Sequence, residues 1–268
     1  MEKTNLIKRK VGVLSLSGGM DSTSLLLHLL AEGAHPYAVS FDYGQKHNIE
    51  LERVKKNIEY LASKGYMIPH TVVDISILGK LYNSALTNPN VEVPEGHYAE
   101  ENMKSTVVPN RNAIFSSMVY GYALSLSTEL NQDTFISLGI HSGDHQIYPD
   151  CRQEFRDALN YAFKIGNWGS ERVDYYTPYL KGDKFTILED AKINCEKLNL
   201  DFNIILANTN TCYNPNEKGE SCGKCGSCQE RLLAFNKLGS KDPVTYSSDY
   251  TQLIENVLQS EIDFQNKK

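Results

Sequence analysis

Two stretches of the sequence hold residue types whose spacing suits chemistry. The first is Ser17-Gly18-Gly19-Met20-Asp21-Ser22, set between a short apolar run, Lys10 to Leu16, and a stretch with helical apolar content, Ser22 to Leu30. That order reads as strand, glycine turn, helix. At such a junction the unbonded backbone N–H groups and the helix dipole favour an anion. Glycine allows positive φ and a close approach of backbone to phosphate, and the hydroxyls of Ser17 and Ser22 add donors. The turn is a candidate phosphate cradle, although it matches neither G-x-x-x-x-G-K-[ST] nor G-x-G-x-x-G. A Gly-Gly pair alone also fits a plain tight turn with Asp21 or Ser22 as helix N-cap.

The second stretch is the cysteine run Cys212, Cys222, Cys225 and Cys228, spaced C-x9-C-x2-C-x2-C. Two-residue gaps let successive thiolates face one ion, and four sulfurs give the closed tetrahedral shell of structural zinc. Gly223 and Gly226 free the backbone to bend around a metal. Buried reduced thiols, a redox Cys-x-x-Cys and an iron–sulfur cluster are the other readings of the same pattern. His141 and His145 are also spaced like ligands, but a second metal is not expected.

The elements that must position these groups follow from periodicity. After the first strand and helix, Ala38 to Tyr43 reads as a second strand, Ile49 to Lys64 as a helix and Thr71 to Ile75 as a third strand. Residues Leu86 to Lys104, with Asn88-Pro89-Asn90 and Pro94-Glu95-Gly96, mark a long loop, and loops of that length often serve as lids or binding loops. Ala113 to Leu126 reads as helix, Thr134 to Ile140 as a buried strand, and Gln153 to Phe163 and Lys184 to Leu198 as helices, with a weak helix near Tyr250 to Leu258. Repeating β and α units imply an α/β fold, a doubly wound and mainly parallel sheet covered on both faces.

With 41% hydrophobic and 22% charged residues in 268, the chain can build a sizeable core, which excludes a disordered or fibrous protein. No apolar run reaches the ~20 residues of a membrane span. Val11 to Leu16, after the charged Met1 to Lys10, is too short for a signal-peptide core, so a cytoplasmic protein is expected. The net charge of -6 argues against nucleic acid as partner and for a small substrate.

The hexapeptide, placed directly after a strand, resembles the pyrophosphate loop of the N-type ATP pyrophosphatases. Further segments are similar, in order, to the 7-cyano-7-deazaguanine synthase family of queuosine biosynthesis. They are Phe41-Asp42-Tyr43-Gly44-Gln45-Lys46-His47, Ser84-Ala85-Leu86-Thr87, Val108-Pro109-Asn110-Arg111-Asn112, Tyr148-Pro149-Asp150-Cys151-Arg152-Gln153-Glu154-Phe155, Thr211-Cys212-Tyr213 and Cys222 to Arg231. The resemblance spans about Val11 to Leu238.

It implies an ATP-dependent carbon–nitrogen ligase that turns 7-carboxy-7-deazaguanine and ammonia into the nitrile, through an adenylated acid, an amide and an adenylated amide. It implies Mg²⁺ with ATP, structural Zn²⁺ on the four cysteines and a homodimer. The implied catalytic residues are Ser17, Asp21, Ser22, Arg111 and Lys184; ATP would meet Leu16, Ser17, Gly18, Gly19, Met20, Asp21, Ser22, Phe41, Asn110 and Arg111. Asp42, Gln45, Asp144, Tyr148, Asp150 and Arg152 would bind the deazapurine, with Cys151 as a wall residue. The expected division is an ATP pyrophosphatase domain over 1–205, a zinc lobe over 206–240 and a tail over 241–268.

One departure is local. Where many family members have Asp-Tyr-Ser-Gly, this chain has Asp144-His145-Gln146-Ile147. A relative that joins a deazaguanine acid to another amine, a tRNA-modifying pyrophosphatase and a nucleotide-binding zinc module are the alternatives.

Overall fold

The computed structural model describes residues 7–46, 49–141, 143 and 147–266. Five parallel strands, β1 (Val11–Ser15), β2 (His35–Asp42), β3 (His70–Asp74), β4 (Thr134–Ser137) and β5 (Val173–Tyr176), lie in the order β3-β2-β1-β4-β5. Around them the chain forms α1 (Met20–Ala31), α2 (Ile49–Ser63), α3 (Ile77–Leu81), α4 (Arg111–Leu130) and α5 (Gln153–Gly166). Then follow α6 (Lys184–Lys197), α7 (Phe202–Ala207), α8 (Gly226–Lys237) and α9 (Tyr250–Asn266).

β1 is central because its residues are apolar on both faces, and alternation sends them into two separate cores. Leu14 joins Leu25, Leu29, Ile187, Leu188 and Phe235 beneath α1, α6 and α8. Val13 joins Phe41, Phe115, Val119, Tyr120 and Ile136 beneath α4. Val13 pairs with Tyr37 on one side and Ile136 on the other, so the strand order reverses at β1 and opens a crevice between the carboxyl ends of β1 and β4.

The expected elements are present with ends shifted by a few residues. β5, α7 and α8 are additions to the expected set, as is α3 within the connection after β3. The segment from Tyr82 to Thr106 is largely irregular and ends in a 3-10 helix, Glu101–Thr106. Near Tyr250 the helix is longer than expected and its Leu253 and Val257 pack on Leu232 of α8. Arg231 of α8 is buried and uses its whole guanidinium. It donates to Asp242 at 2.7 and 2.9 Å, to Thr209 and Thr211 hydroxyls at 2.7 and 3.0 Å and to the Leu206 carbonyl at 3.0 Å. That fork fastens the cysteine-rich segment to α7 before it and to the irregular stretch after α8.

Candidate active site and metal centre

The turn between β1 and α1 has the built geometry of an anion cradle. Gly18 has φ +87°, and a Cβ there would lie 2.3 Å from the Glu50 carbonyl oxygen, so α2 can approach only because the side chain is missing. The Ser17 and Ser22 hydroxyl oxygens are 3.0 Å apart, and the backbone N–H groups of Ser17 and Gly19 donate to Ser22 Oγ and Ser17 Oγ at 3.1 and 3.2 Å. The α1 N-cap is Gly19, extended and without a side-chain cap bond, so neither Asp21 nor Ser22 caps the helix. Ser22 folds back onto the turn instead. The Asn210 N–H donates to the Gly18 carbonyl at 2.9 Å, which pins the turn from the far side.

Asp21, in the first turn of α1, meets a cation from a residue 163 positions away. Lys184 Nζ lies 2.9 Å from Asp21 Oδ2, 3.1 Å from Glu230 Oε2 and 3.4 Å from His141 Nε2. Lys184 is only 5% exposed and is the first residue of α6, whose start is fixed by a capping box between Asp183 and Thr186. Burial pushes the Asp21 carboxyl up, and the Lys184 ammonium and His141 outweigh it, holding the group below the usual carboxylate range. Asp21 Oδ1 is buried and makes no hydrogen bond among the described residues. A buried anionic oxygen left over beside a phosphate cradle fits a hard divalent cation such as Mg²⁺.

Across the cavity, Arg111 begins α4 and its guanidinium lies 5.9 Å over the Tyr43 ring. Burial opposes its charge, but the oxygens of Tyr43, Tyr213 and Tyr148 and the Asp150 carboxylate outweigh burial and raise its pKa. Tyr148 bonds Thr106 Oγ1 at 2.6 Å and Tyr213 at 3.2 Å, forming a phenolic wall beside Cys151 and Phe115. Glu50, in the first turn of α2, faces the same space; burial lifts its pKa to about 7 against the pull of Arg111 and Asn210. The cavity enclosed is about 220 Å³.

The structure brings Ser17, Gly19, Met20, Asp21, Ser22, Gln45, Arg111, Tyr148 and Lys184 to this one cavity. Cys151 lines it as the expected wall residue, whereas Leu16, Gly18, Phe41, Asp42, Asn110, Asp150 and Arg152 do not. Leu16 and Phe41 are buried in the two cores, Phe41 stacked on Phe115 at 4.1 Å. Asn110 is exposed, with φ +59°, at the N-cap of α4. Asp42 accepts the Gly44 N–H at 3.2 Å in a turn, and Arg152 is exposed at the N-cap of α5. Asp150 acts on Arg111 through its charge. Asp144, His145 and His47 lie outside the described residues. Glu50, Glu230 and Tyr98 line the cavity without having been expected there. Glu50 had a signal, its place in the first helical turn after β2, at the carboxyl end of the sheet; Glu230 had none apart from the fold.

The four cysteine sulfurs lie within 4.8 Å of one another, and Cys222 and Cys228 sulfurs are 4.0 Å apart. Tetrahedral thiolate ligands at ~2.3 Å from zinc would be ~3.8 Å apart. Backbone N–H groups of Asn214 and Cys222 donate to Cys212 Sγ at 3.3 and 3.2 Å, and those of Lys224 and Cys225 to Cys222 Sγ at 3.4 Å. Donors aimed at sulfur suit thiolates, and the cluster can hold a metal such as zinc.

Residues 11–239 match the family described as "Queuosine biosynthesis protein QueC". The chain belongs to that family. It is 47% identical over 237 residues to the 7-cyano-7-deazaguanine synthase of Marinomonas sp., covering 88% of this chain and 98% of that one. It is 44% identical over 234 residues to 7-cyano-7-deazaguanine synthase 1 of Colwellia psychrerythraea, covering 87% and 97%. Among solved structures, the U34-tRNA thiolase NcsA of Methanococcus maripaludis shares 13% identity, with a TM-score of 0.42 and coverage of 96% of this chain and 73% of that one. That last likeness is too low to carry an argument about function, and the tRNA-modifying alternative gains nothing from it.

Proposed function

We propose that the chain is an ATP-dependent ligase that converts 7-carboxy-7-deazaguanine and ammonia into 7-cyano-7-deazaguanine. The observation that carries this reading is the convergence of Asp21, Lys184 and Arg111 on one cavity at the sheet's switch point, in a chain that belongs to the QueC family. In the first half the carboxylate oxygen attacks the α-phosphorus of ATP, pyrophosphate leaves, and ammonia displaces AMP to give the amide. In the second the amide oxygen attacks the α-phosphorus of a second ATP, pyrophosphate leaves, and loss of AMP and of both amide N–H protons leaves the nitrile.

Both halves need a phosphate held in line and its charge offset, which is a task of positioning and electrostatics. The Ser17 to Ser22 turn and the N-terminus of α1 receive the phosphate oxygens. Lys184 and Arg111 offset charge from opposite walls, and Gln45 and Tyr148 border the space for the deazapurine. Asp21 Oδ1 is the atom that would hold Mg²⁺, which supplies further neutralisation of the phosphates when bound. Zinc on Cys212, Cys222, Cys225 and Cys228 has a structural part, since four sulfurs leave no open position.

The same reading takes 1–205 as the catalytic domain and 206–240 as the zinc lobe, in a cytoplasmic enzyme. Among the described residues no helix is long and apolar enough to cross a membrane. A homodimer is supported by exposed Tyr161 and Ile165 in the last turns of α5 and Trp168 just beyond it.

The test is to incubate the protein with ATP, Mg²⁺, ammonia and 7-carboxy-7-deazaguanine. The nitrile should form with two AMP and two pyrophosphate for each turnover. AMP release with a different product would shift the reading to another amine acceptor, and no acid-dependent AMP release from protein carrying its metal would overturn it.

A further inference from the structure

α9 lies beyond the part of the chain for which the family accounts. The family match ends at residue 239, and the Marinomonas relative, matched over 98% of its own length, is matched to 88% of this chain. Its contacts are nevertheless with the parts that build the site. Near its start Leu253 fills the place above Gly223, in the cysteine knuckle, where φ is +75° and a Cβ would come 2.6 Å from the leucine Cδ2.

Near its other end Glu261 and Phe264, three residues apart and so on one helix face, grip a residue of the long irregular segment. Glu261 Oε2 lies 2.8 Å from His97 Nε2, and the Phe264 ring stacks on the imidazole with centroids 3.9 Å apart at 13°. His97 is 2% exposed. Its Nδ1 accepts the Ala99 N–H at 3.2 Å, which leaves Nε2 as the nitrogen that donates to Glu261. The residues next to this anchor form cavity wall. Tyr98 and Met103 line the space with Asp21 and Lys184, and both rest on Gly226, where a Cβ would meet the Tyr98 Cα and the Met103 sulfur at 3.0 Å. On the other side of the anchor, Glu95 bridges to Cys225 and the Gly96 N–H donates to the Lys224 carbonyl at 3.2 Å.

We propose that α9 is a strap that this chain adds to the family fold: Glu261 and Phe264 seat His97, and His97 in turn positions Tyr98 and Met103 as a wall of the catalytic cavity. The role is one of positioning, because none of the three gripping side chains lines the cavity. It rests on the reading of that cavity as the place where ATP and the deazapurine acid bind. Without the strap the wall segment samples other conformations, and apparent affinity falls by the fraction of time the wall is in place.

The experiment compares Glu261→Ala/Phe264→Ala, Glu261→Gln and the unaltered protein. Amide hydrogen exchange is followed over residues 95–106, and KM and kcat are measured by AMP release. The double variant should exchange faster at 95–106 and not in α1 or α6. Its KM for the acid or for ATP should rise about tenfold with kcat changed less than about threefold, since only binding is lost. Glu261→Gln, whose carbonyl still accepts from His97, should restore both. Unchanged exchange and unchanged KM in the double variant would overturn the proposal, as would faster exchange throughout the molecule, which marks a general loss of stability. If the unaltered protein forms no nitrile, the proposed function fails, while the exchange over 95–106 still decides whether the strap holds the wall.

Discussion

Replacing Lys184 by Met keeps the length of the side chain and removes its charge from between two carboxylates. Lys184 is 5% exposed and lies 2.9 Å from Asp21 and 3.1 Å from Glu230, so the variant leaves two partly buried anions facing a vacated cation position. Removing one partner of a buried ion pair costs about 3–5 kcal/mol, because the remaining charge is neither solvated nor paired. The cost depends on pH in a definite direction. In the unaltered protein Lys184 and His141 overcome burial and hold Asp21 below its ordinary value, so its contribution to stability is present above the unfolded-state pKa of 3.8 and is lost as pH falls through the lowered folded value. In the variant the main opposition to burial is gone, the Asp21 pKa rises above that of the unfolded chain, and stability falls as pH rises through it. The stability gap between the two proteins should therefore already be present near pH 4, where the pairing in the unaltered protein contributes, and should widen to about 3–5 kcal/mol near pH 7 as the unpaired carboxyl of the variant ionises. Urea unfolding at the two pH values measures it. In the AMP-release assay kcat should fall by about 10²–10³, the usual cost of one lost electrostatic contact to the transition state. A gap of equal size at both pH values, or activity within a few-fold of the unaltered protein, would refute the reasoning.

Other perturbations reach different parts of the same architecture. Purified protein should carry about one zinc per chain by elemental analysis, and Cys228→Ser should lose it and melt earlier; unchanged metal content in the variant would remove the cysteine centre as its binding site. Asp242→Ala strands the buried Arg231 guanidinium and should lower stability by about 3–5 kcal/mol in urea unfolding, a loss below about 1 kcal/mol counting against the fork as a fastening. Glu50, with its pKa raised from 4.5 to about 7, retains in the folded state a proton that the unfolded chain releases, so it makes stability fall as pH rises between those values. Glu50→Gln should abolish that slope, worth about 3 kcal/mol at 1.36 kcal/mol per unit, and a slope identical to that of the unaltered protein would show that Glu50 titrates normally.

What could be read in the sequence was what is local. The glycine turn is six consecutive residues, and the strand before it and helix after it announce themselves by apolar runs. The cysteine spacing carries its own geometry, because C-x2-C fixes two sulfurs near one point wherever the chain goes. By contrast, β5 is four residues, Val-Asp-Tyr-Tyr, with no apolar run to mark it, and α8 begins inside the cysteine knuckle, where the residues read first as ligands. The Lys184–Asp21 and His97–Glu261 pairs span 163 and 164 positions, and nothing in the chain between them encodes the meeting. The site residues that fall away from the cavity do so for backbone reasons. Strand alternation turns Leu16 and Phe41 into the cores, and the left-handed Asn110 points its turn outward.

The sign of the charge around the cavity bears on how an acidic chain can take a triphosphate. The net charge of -6 belongs to the molecule as a whole, and at physiological ionic strength charges beyond ~8 Å are largely screened. What an entering phosphate meets is local: Lys184 already committed to Asp21 and Glu230, Arg111 held charged amid phenolic oxygens, and Glu50 half-neutral near pH 7. In the proposed reaction Lys184 is preorganised by its two carboxylates, which hold the ammonium in place and spare it a reorganisation when charge develops on phosphorus. Asp21 Oδ1 makes no hydrogen bond among the described residues, and in the proposed reaction it is the atom that would face a cation arriving with the nucleotide. Surface acids far from the crevice can be neutralised with little effect on nucleotide affinity, whereas any change that re-pairs Asp21, such as an added cation at Ser22, competes directly for the position.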